Sequence, residues 1–323
     1  MTAVDIRTAM VFAAGRGERM QPLSNAVPKP ALPTPSGPVV CSPIRLAANT
    51  GCRHIAVNVW HLADPMEAAV AGCADNHTET VCCREPELMG TAGGLALARD
   101  RGLLGSEGPV LVLNGDGALH LSLGPLIQRF STSDDLVSLG LLPHLNPGRW
   151  SRVTLDGRGM VDQILPPGPL APGEVPLLYP GVMVVSRQAL NALETSPHGV
   201  AEGLWAPARS AGRFGGAIVT GHWREVGTPA DYLETVLHQL HGSAVIDPSA
   251  EVEPGAALGS TYVGPGARIE AGAVIGEAVV ANGAVVHRGA RVIRSVLMGA
   301  VEAFEGESVV DEFRAAPLSS SQY

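Results

Sequence analysis

The sequence has few of the features that mark membrane, secreted or nucleic-acid-binding proteins. Aromatic residues make up only 4% of its 323 positions, and no apolar run approaches the roughly 20 residues that span a bilayer. The first ten residues lack the basic start and long apolar stretch of a signal peptide. The net charge of −9 excludes a broad nucleic-acid surface, so any binding of anions must be local. These absences predict a globular protein with neither a membrane nor a nucleic acid as partner.

Cysteine is also scarce. The chain has five cysteines, an odd number, and Cys82 and Cys83 are adjacent. This spacing matches neither a disulfide framework nor the paired CxxC motifs of a structural zinc site. We therefore expect reduced thiols, a cytoplasmic location and no structural zinc.

The first three quarters of the chain alternate apolar runs of strand length with helix-like segments. Strands are predicted at 6–15, 54–60, near 80–83 and at 109–116, and helices at 43–52, around 63–72 and at 91–99. Five prolines and two glycines in residues 166–176 predict a loop. This alternation is typical of the α/β class, here a Rossmann-like, mostly parallel sheet covered by helices on both faces.

A different pattern starts near residue 244. Apolar residues recur every six positions, with occasional fives, at Ile246, Val252, Leu258, Val263, Ile269, Ile275, Val280, Val286, Val292 and Leu297. Alanine often precedes them by two positions. Such hexapeptide repeats predict a short left-handed parallel β-helix with these residues pointing inward. We expect a catalytic domain over 1–240, the β-helix over 241–310 and a loose tail over 311–323.

Unusual residues cluster where the predicted parallel strands end, the edge at which open α/β sheets bind ligands. The first loop carries Gly15 and Gly17, followed by the cations Arg19 and Lys29. It lacks the third glycine of a dinucleotide fingerprint and the GK[ST] of a P-loop, so by itself it indicates only a turn or an anion site. Asp116, after the fourth strand, fits either a helix cap or a Mg²⁺ ligand.

A second candidate region is "HWREVGTPADY", residues 222–232. Thr228, Pro229 and Asp231 have the pattern of a helix start, with Thr228 as the N-cap. That interpretation leaves the preceding acid, Glu225, unexplained.

Taken together, these motifs resemble a known family. "AAGRGERMQPLSNAVPKPALP" (13–33) is similar to the signature AAGxGTRMxPLTxxxPKPLLP of sugar-1-phosphate nucleotidyltransferases. "GTAGG", "NGD" and the "VGTPADY" segment resemble later motifs of that family, in the same order. The resemblance implies transfer of a nucleotidyl group from a nucleoside triphosphate to a sugar 1-phosphate, with Mg²⁺ as cofactor and release of pyrophosphate.

The resemblance also implies roles for individual residues. The implied nucleotide contacts are Ala14, Gly15, Gly17, Glu18, Arg19, Glu85, Gly90, Thr91 and Asn114. Gly115 and Gly181 would contact the sugar, and Asp116 and Glu225 would bind Mg²⁺. Arg19, Lys29 and Asp116 would carry the catalysis, through positioning and charge stabilisation without a covalent nucleophile.

The sequence departs from the family pattern on the sugar side. Leu165 and Pro166 stand where the family usually has a Glu-Lys pair, and Glu18 replaces a threonine of the signature. The GTAGG motif is most similar to mannose-1-phosphate and heptose-1-phosphate guanylyltransferases, which favours GTP. Two alternatives remain open, a UTP- or dTTP-specific enzyme and a non-catalytic regulatory homologue. The β-helix, whose repeats contain only His287 as a possible acyl-transfer base, is interpreted as a module for homo-oligomerisation.

Overall fold

A computed structural model describes residues 4–73 and 77–317 and divides into two compact units. The first unit contains residues 4–15, 42–60 and 77–223, and the second contains 16–41, 61–73 and 224–317. In these described ranges, no helix has both the length and the apolar character needed to cross a membrane.

The first unit is built on a ten-stranded sheet in the order β3-β2-β1-β4-β10-β6-β9-β7-β8, with β11 also paired to β6, and β5 and β12 form a separate pair. The strands are β1 (Thr8–Phe12), β2 (His54–Val59), β3 (Glu79–Arg84), β4 (Val110–Asn114), β5 (Gly117–Ser122), β6 (Val137–Pro143), β7 (Arg152–Leu155), β8 (Val161–Leu165), β9 (Leu177–Leu178), β10 (Val182–Val185), β11 (Phe214–Ile218) and β12 (Thr220–Glu225).

The sheet has a parallel half and an antiparallel half. β1 pairs in parallel with β2 and β4, and β2 with β3. β10 then enters antiparallel between β4 and β6. Met10, Val112, Leu139 and Met183, on four different strands, are all at most 1% exposed, as expected for strands covered on both faces. The predicted α/β class is confirmed.

The helices include the three predicted at 43–52, 63–72 and 91–99, each to within a few residues of its predicted bounds. The helices are α1 (Cys41–Asn49), α2 (Ala63–Ala71), α3 (Gly90–Asp100), α4 (Gly124–Thr132), α5 (Arg187–Asn191), a π-helical turn (Ala201–Trp205), α6 (Ala206–Ser210) and α7 (Pro229–Leu240). The predicted loop 166–176 runs between β8 and β9. α7 begins as its sequence predicts: Thr228 is the N-cap and forms a capping box with Asp231.

The second unit contains a stack of three parallel sheets. Its strands are β13 (Val245–Ile246), β14 (Glu251–Val252), β15 (Ala257–Leu258), β16 (Thr261–Val263), β17 (Arg268–Ile269), β18 (Val274–Gly276), β19 (Ala278–Ala281), β20 (Val285–Val286), β21 (Arg291–Ile293), β22 (Val296–Gly299), β23 (Glu302–Ala303), β24 (Ser308–Val310) and β25 (Phe313–Ala316). Every third strand joins the same sheet, which is consistent with the predicted left-handed parallel β-helix.

The coils of this β-helix are 17 residues long. Ile246 pairs with Val263, Val263 with Val280, and Val280 with Leu297. The last three of these side chains are completely buried, and their alanine neighbours fill the corners of the coil. Two six-residue steps and one five-residue step in the sequence therefore make up one full 17-residue turn of the β-helix.

Both ends of the β-helix differ from the prediction. Ile246 was expected to point into the core, yet it is 47% exposed, because its strand β13 has a neighbour, β16, on one side only. The segment 311–323 was expected to be loose. Its residues Phe313–Ala316 instead form β25, which pairs with β22, while 318–323 lie outside the described residues.

Candidate active site

The carboxyl ends of β1 and β4 are held together through backbone contacts in the first unit. Gly115 N–H donates to the carbonyl of Phe12 at 2.8 Å, and Asn114 N–H donates to the carbonyl of Gly181 at 2.8 Å. Gly181 has a φ of +84°, and a β-carbon on it would lie 2.6 Å from the Asn114 side chain. The residues predicted to contact the sugar thus lie beside those predicted to contact the nucleotide at this edge.

A buried polar pair organises the next part of the same edge. The side-chain oxygen of Asn58 accepts from Ala13 N–H at 2.7 Å, and its amide donates to Glu85 Oε1 at 2.7 Å. Glu85 Oε2 accepts from Met89 N–H at 3.0 Å. Burial raises the pKa of the Glu85 carboxyl, although these hydrogen bonds partly oppose the rise. Glu85 therefore connects the start of the first loop to the start of α3, and its predicted nucleotide contact stays a prediction.

The GTAGG motif forms the first turn of α3 and packs closely on a neighbouring backbone segment. Gly90 has a φ of +68°, and a β-carbon there would lie 2.6 Å from the carbonyl of His198. Thr91 Oγ1 accepts from Val200 N–H at 2.9 Å. The small residues of this motif permit close packing within the first unit, whatever ligand they also contact.

The remainder of the signature loop lies in the second unit, as a chain of three short 3-10 turns. Gly17 is left-handed, with a φ of +64°, and a β-carbon on it would be 3.2 Å from Lys29 Cβ and 3.3 Å from Ser24 Cβ. Lys29 is only 8% exposed. The glycine turn and the lysine, 12 positions apart in the sequence, are thus packed side by side.

Arg19 and Glu18, two adjacent charged residues of the signature, pair with different side chains. Arg19 Nη2 contacts Glu225 Oε1 at 3.3 Å, with the arginine side chain 70% exposed and the carboxylate 19% exposed. Glu18 turns to Arg16, at 3.8 Å. The carboxylate that replaces the family's threonine therefore pairs with Arg16, and the ion pair between Arg19 and Glu225 was not predicted.

The signature loop is anchored within its unit at several points. Tyr232 Oη donates to the carbonyl of Pro33 at 2.5 Å, and His61 Nε2 lies 3.3 Å from the carbonyl oxygen of Ser24. A disulfide joins Cys41, at the end of the loop, to Cys73. The expectation of reduced cysteines is therefore wrong for this pair. Their spacing of 32 residues gave no sequence signal, because only the fold brings them together.

Asp116 follows β4 in the first unit and is partly exposed. In the described residues, no cluster of three or more His, Cys, Asp or Glu side chains could hold a metal ion. A single carboxylate such as that of Asp116 fits a Mg²⁺ ion that arrives with phosphates. Mg²⁺ keeps most of its ligands as water and phosphate oxygens and takes only one or two carboxylates. Asp116 and Glu225 belong to different units, and their joint role stays a prediction.

An aromatic cluster that sequence reasoning missed lies in the first unit. Trp150 and Trp223 meet edge to face, with ring centroids 5.3 Å apart. The guanidinium of Arg149 lies 4.7 Å from the Trp150 ring centre, and His144 is a third ring neighbour. Trp223 stands two residues before the candidate ligand Glu225, and this position in the sequence could have pointed to the cluster. Because aromatic residues are rare in this chain, two tryptophans in contact are unusual.

Comparison with known proteins agrees with these observations. The structure is similar to the crystal structure of HddC from Yersinia pseudotuberculosis, with a TM-score of 0.59 and 18% identity, over 72% of this chain and all of HddC. This likeness shows that the two proteins share a fold. The family model described as nucleotidyl transferase matches residues 8–241. The chain belongs to the nucleotidyl transferase family, as the motifs predicted.

Curated relatives share about a quarter of their aligned residues with this chain. A probable mannose-1-phosphate guanylyltransferase 2 of Arabidopsis thaliana is 24% identical, covering 78% of this chain and 74% of that protein. A protein of the same description from Oryza sativa subsp. japonica is 24% identical over 70% of this chain and 62% of its own length. The mannose-1-phosphate guanylyltransferase catalytic subunit beta of Drosophila melanogaster is 24% identical over 76% and 71%. The chain thus spans less than two thirds of the rice relative.

Proposed function

We propose that this protein transfers a nucleotidyl group from a nucleoside triphosphate, with GTP favoured, to a sugar 1-phosphate. The products are a nucleotide sugar and pyrophosphate. Family membership and the guanylyltransferase descriptions of its relatives support this assignment. The residues of the signature loop supply the physical argument.

The observation that carries the proposal is Lys29, the only lysine in a chain that otherwise uses arginine for its 21 remaining fixed positive charges. Lysine offers a compact ammonium where arginine offers a planar fork. Lys29 is 8% exposed, lies between two prolines and packs beside the Gly17 turn. A compact ammonium beside a left-handed glycine turn suits the oxygens of a phosphate group.

Arg19 and Glu225 support the same chemistry. Their side chains form an ion pair, with Arg19 Nη2 3.3 Å from Glu225 Oε1. A triphosphate that carries Mg²⁺ offers the arginine a stronger anion and the carboxylate a cation, so substrate would replace this pair by two better ones. When bound, Mg²⁺ would offset charge on the phosphate oxygens. The family motifs make Asp116 and Glu225 its predicted ligands.

In this mechanism the protein's own residues mainly position the substrates. The acceptor phosphate oxygen attacks the α-phosphorus in line, and the bond to pyrophosphate breaks. Arg19 would stabilise charge on the departing pyrophosphate and Lys29 charge near the reacting phosphorus, each contributing most in the transition state. A contact of this kind is worth roughly 10³-fold in rate.

The aromatic cluster supports an acceptor site in the first unit. Leu165 and Pro166 offer no charge where the family usually has a Glu-Lys pair. Arg149 and the faces of Trp150 and Trp223 provide a cation and flat apolar surfaces for a sugar phosphate. We therefore propose that this cluster contributes to recognition of the acceptor.

The test is a pyrophosphate-release assay with each common nucleoside triphosphate and a panel of sugar 1-phosphates. We expect turnover with GTP, and a loss of about 10³-fold in kcat for Arg19→Ala or Lys29→Ala. Arg7→Ala is the control for Arg19→Ala, since the Arg7 side chain is similarly exposed and also pairs with a carboxylate, that of Asp5. Turnover with UTP or dTTP alone would correct the base. Nucleotide binding without turnover of any pair would favour a regulatory homologue.

The cytoplasmic location and homo-oligomerisation through the β-helix are further proposals. The partly exposed first coil of the β-helix supports a contact there, and sedimentation of the wild-type protein tests it. The Cys41–Cys73 disulfide removes one argument for the reducing location. Activity measured with and without a thiol reductant tests whether the enzyme needs that bond.

A further inference from the structure

The second half of the signature loop is poor in backbone donors. Pro28, Pro30 and Pro33 carry no N–H group, so the segment around Lys29 can be fixed only through its remaining amides and its carbonyl oxygens. A buried segment of this kind needs donors supplied from elsewhere.

Three of its carbonyls are satisfied by nearby backbone. The carbonyl of Pro28 accepts from Ala31 N–H at 2.8 Å, that of Pro30 from Val40 N–H at 2.8 Å, and that of Leu32 from Val39 N–H at 3.1 Å. The carbonyl of Pro33 instead accepts from a side chain 199 positions away, the Tyr232 hydroxyl, at 2.5 Å.

Tyr232 is well suited to hold that carbonyl in place. Its side chain is fully buried, and burial raises the pKa of its phenol well above the ordinary value of 10, so it keeps the proton that it donates. It sits in the first turns of α7, whose start is fixed by the Thr228 capping box. α7 packs against strands β16 and β19 of the β-helix.

We propose that Tyr232 is a positioning residue for the reaction, which fixes Lys29 through the carbonyl of Pro33. Only Pro30, Ala31 and Leu32 separate Lys29 from Pro33. This link is stiff, because proline restricts it and Leu32 N–H closes a turn on the Lys29 carbonyl. The β-helix then serves, through α7, as the support that sets the nucleotide-side lysine. This inference rests on the proposed function.

The kinetic test uses Tyr232→Phe, which removes one oxygen atom. Because Lys29 acts most strongly in the transition state, we expect kcat to fall by about 5- to 20-fold while KM for the triphosphate changes little. In a Lys29→Ala background the same substitution should cost nothing further. An equal loss in both backgrounds would overturn the proposal, since Tyr232 would then act independently of Lys29.

A second readout does not depend on turnover. Because Lys29 is the only lysine, protein labelled with ¹⁵N-lysine gives one backbone amide signal, that of Lys29. We expect Tyr232→Phe to move this signal and Tyr179→Phe to leave it in place, since Tyr179 belongs to the first unit, where its ring packs against Trp205. An unmoved signal in folded Tyr232→Phe protein would refute the positioning role. A moved signal in a protein without turnover would refute only the proposed function.

Discussion

Replacing Asn58 by alanine tests the buried polar pair beneath the candidate active site. The substitution removes the acceptor of Ala13 N–H and the amide that donates to Glu85, both at 2.7 Å. A hydrogen bond to a charged group contributes about 1.5–3 kcal/mol, and a buried donor left unpaired costs about 1–3 kcal/mol. We therefore expect the free energy of unfolding to fall by about 3–5 kcal/mol.

The loss should depend on pH. Burial raises the pKa of Glu85 above 4.5, and the Asn58 amide opposes that rise, so the variant raises it further. A carboxyl with a raised folded-state pKa contributes stability that is fully present below its unfolded pKa and is lost as pH rises through the folded value. The destabilisation by Asn58→Ala should thus be larger at about pH 8 than at about pH 5.

Urea unfolding followed by circular dichroism measures both effects. Asn191→Ala, at an exposed helix end, is the control and should change stability by less than about 0.5 kcal/mol. A loss below about 1 kcal/mol for Asn58→Ala, or the same loss at both pH values, would refute the assigned hydrogen bonds.

Three further substitutions probe the second unit. Thr228→Ala should lower the unfolding free energy by about 1 kcal/mol, because the α7 N-cap loses its acceptor; unchanged urea midpoints would contradict this. The Glu302 carboxylate raises the pKa of His287 above 6.5, so the stability from this pair is complete below pH 6.5 and is lost as pH rises through the folded pKa. The melting temperature of wild type should therefore fall more than that of His287→Gln between about pH 6 and about pH 8. Cys41→Ser, which opens the disulfide to Cys73, should cost about 3–4 kcal/mol for a loop of this length; a thiol reductant should cost wild type the same and the variant nothing.

The sequence predicted most of the fold because its periodicity is strong. The runs around Met10 and Val112 are apolar without alternation, as buried parallel strands require. The six-residue spacing from Ile246 onward has no other regular solution than a β-helix. The strand Phe313–Ala316 was not predicted because its apolar residues do not continue the six-residue spacing. It forms a strand because it pairs with Val296–Gly299.

The candidate site was predicted in its residues but not in its contacts. The motifs singled out Arg19 and Glu225, whereas their ion pair and the turn of Glu18 toward Arg16 depend on side-chain directions that no spacing encodes. The Tyr232 hydroxyl and the carbonyl of Pro33 are almost 200 positions apart, and only the folded chain reveals that they meet. Contacts between residues so far apart in the chain cannot be predicted from local sequence patterns.

Because each coil contains 17 residues, the β-helix can be lengthened or shortened by whole coils. Removing residues 262–278 would place Val279 directly opposite Val245 and keep every inward side chain inward, shortening the stack by one strand spacing of about 4.8 Å. A deletion that is not a whole number of coils would turn the following alanines and valines toward solvent. Gains and losses of sequence in this region should therefore occur in whole coils, so the distance between the two ends of the stack can change only in discrete steps.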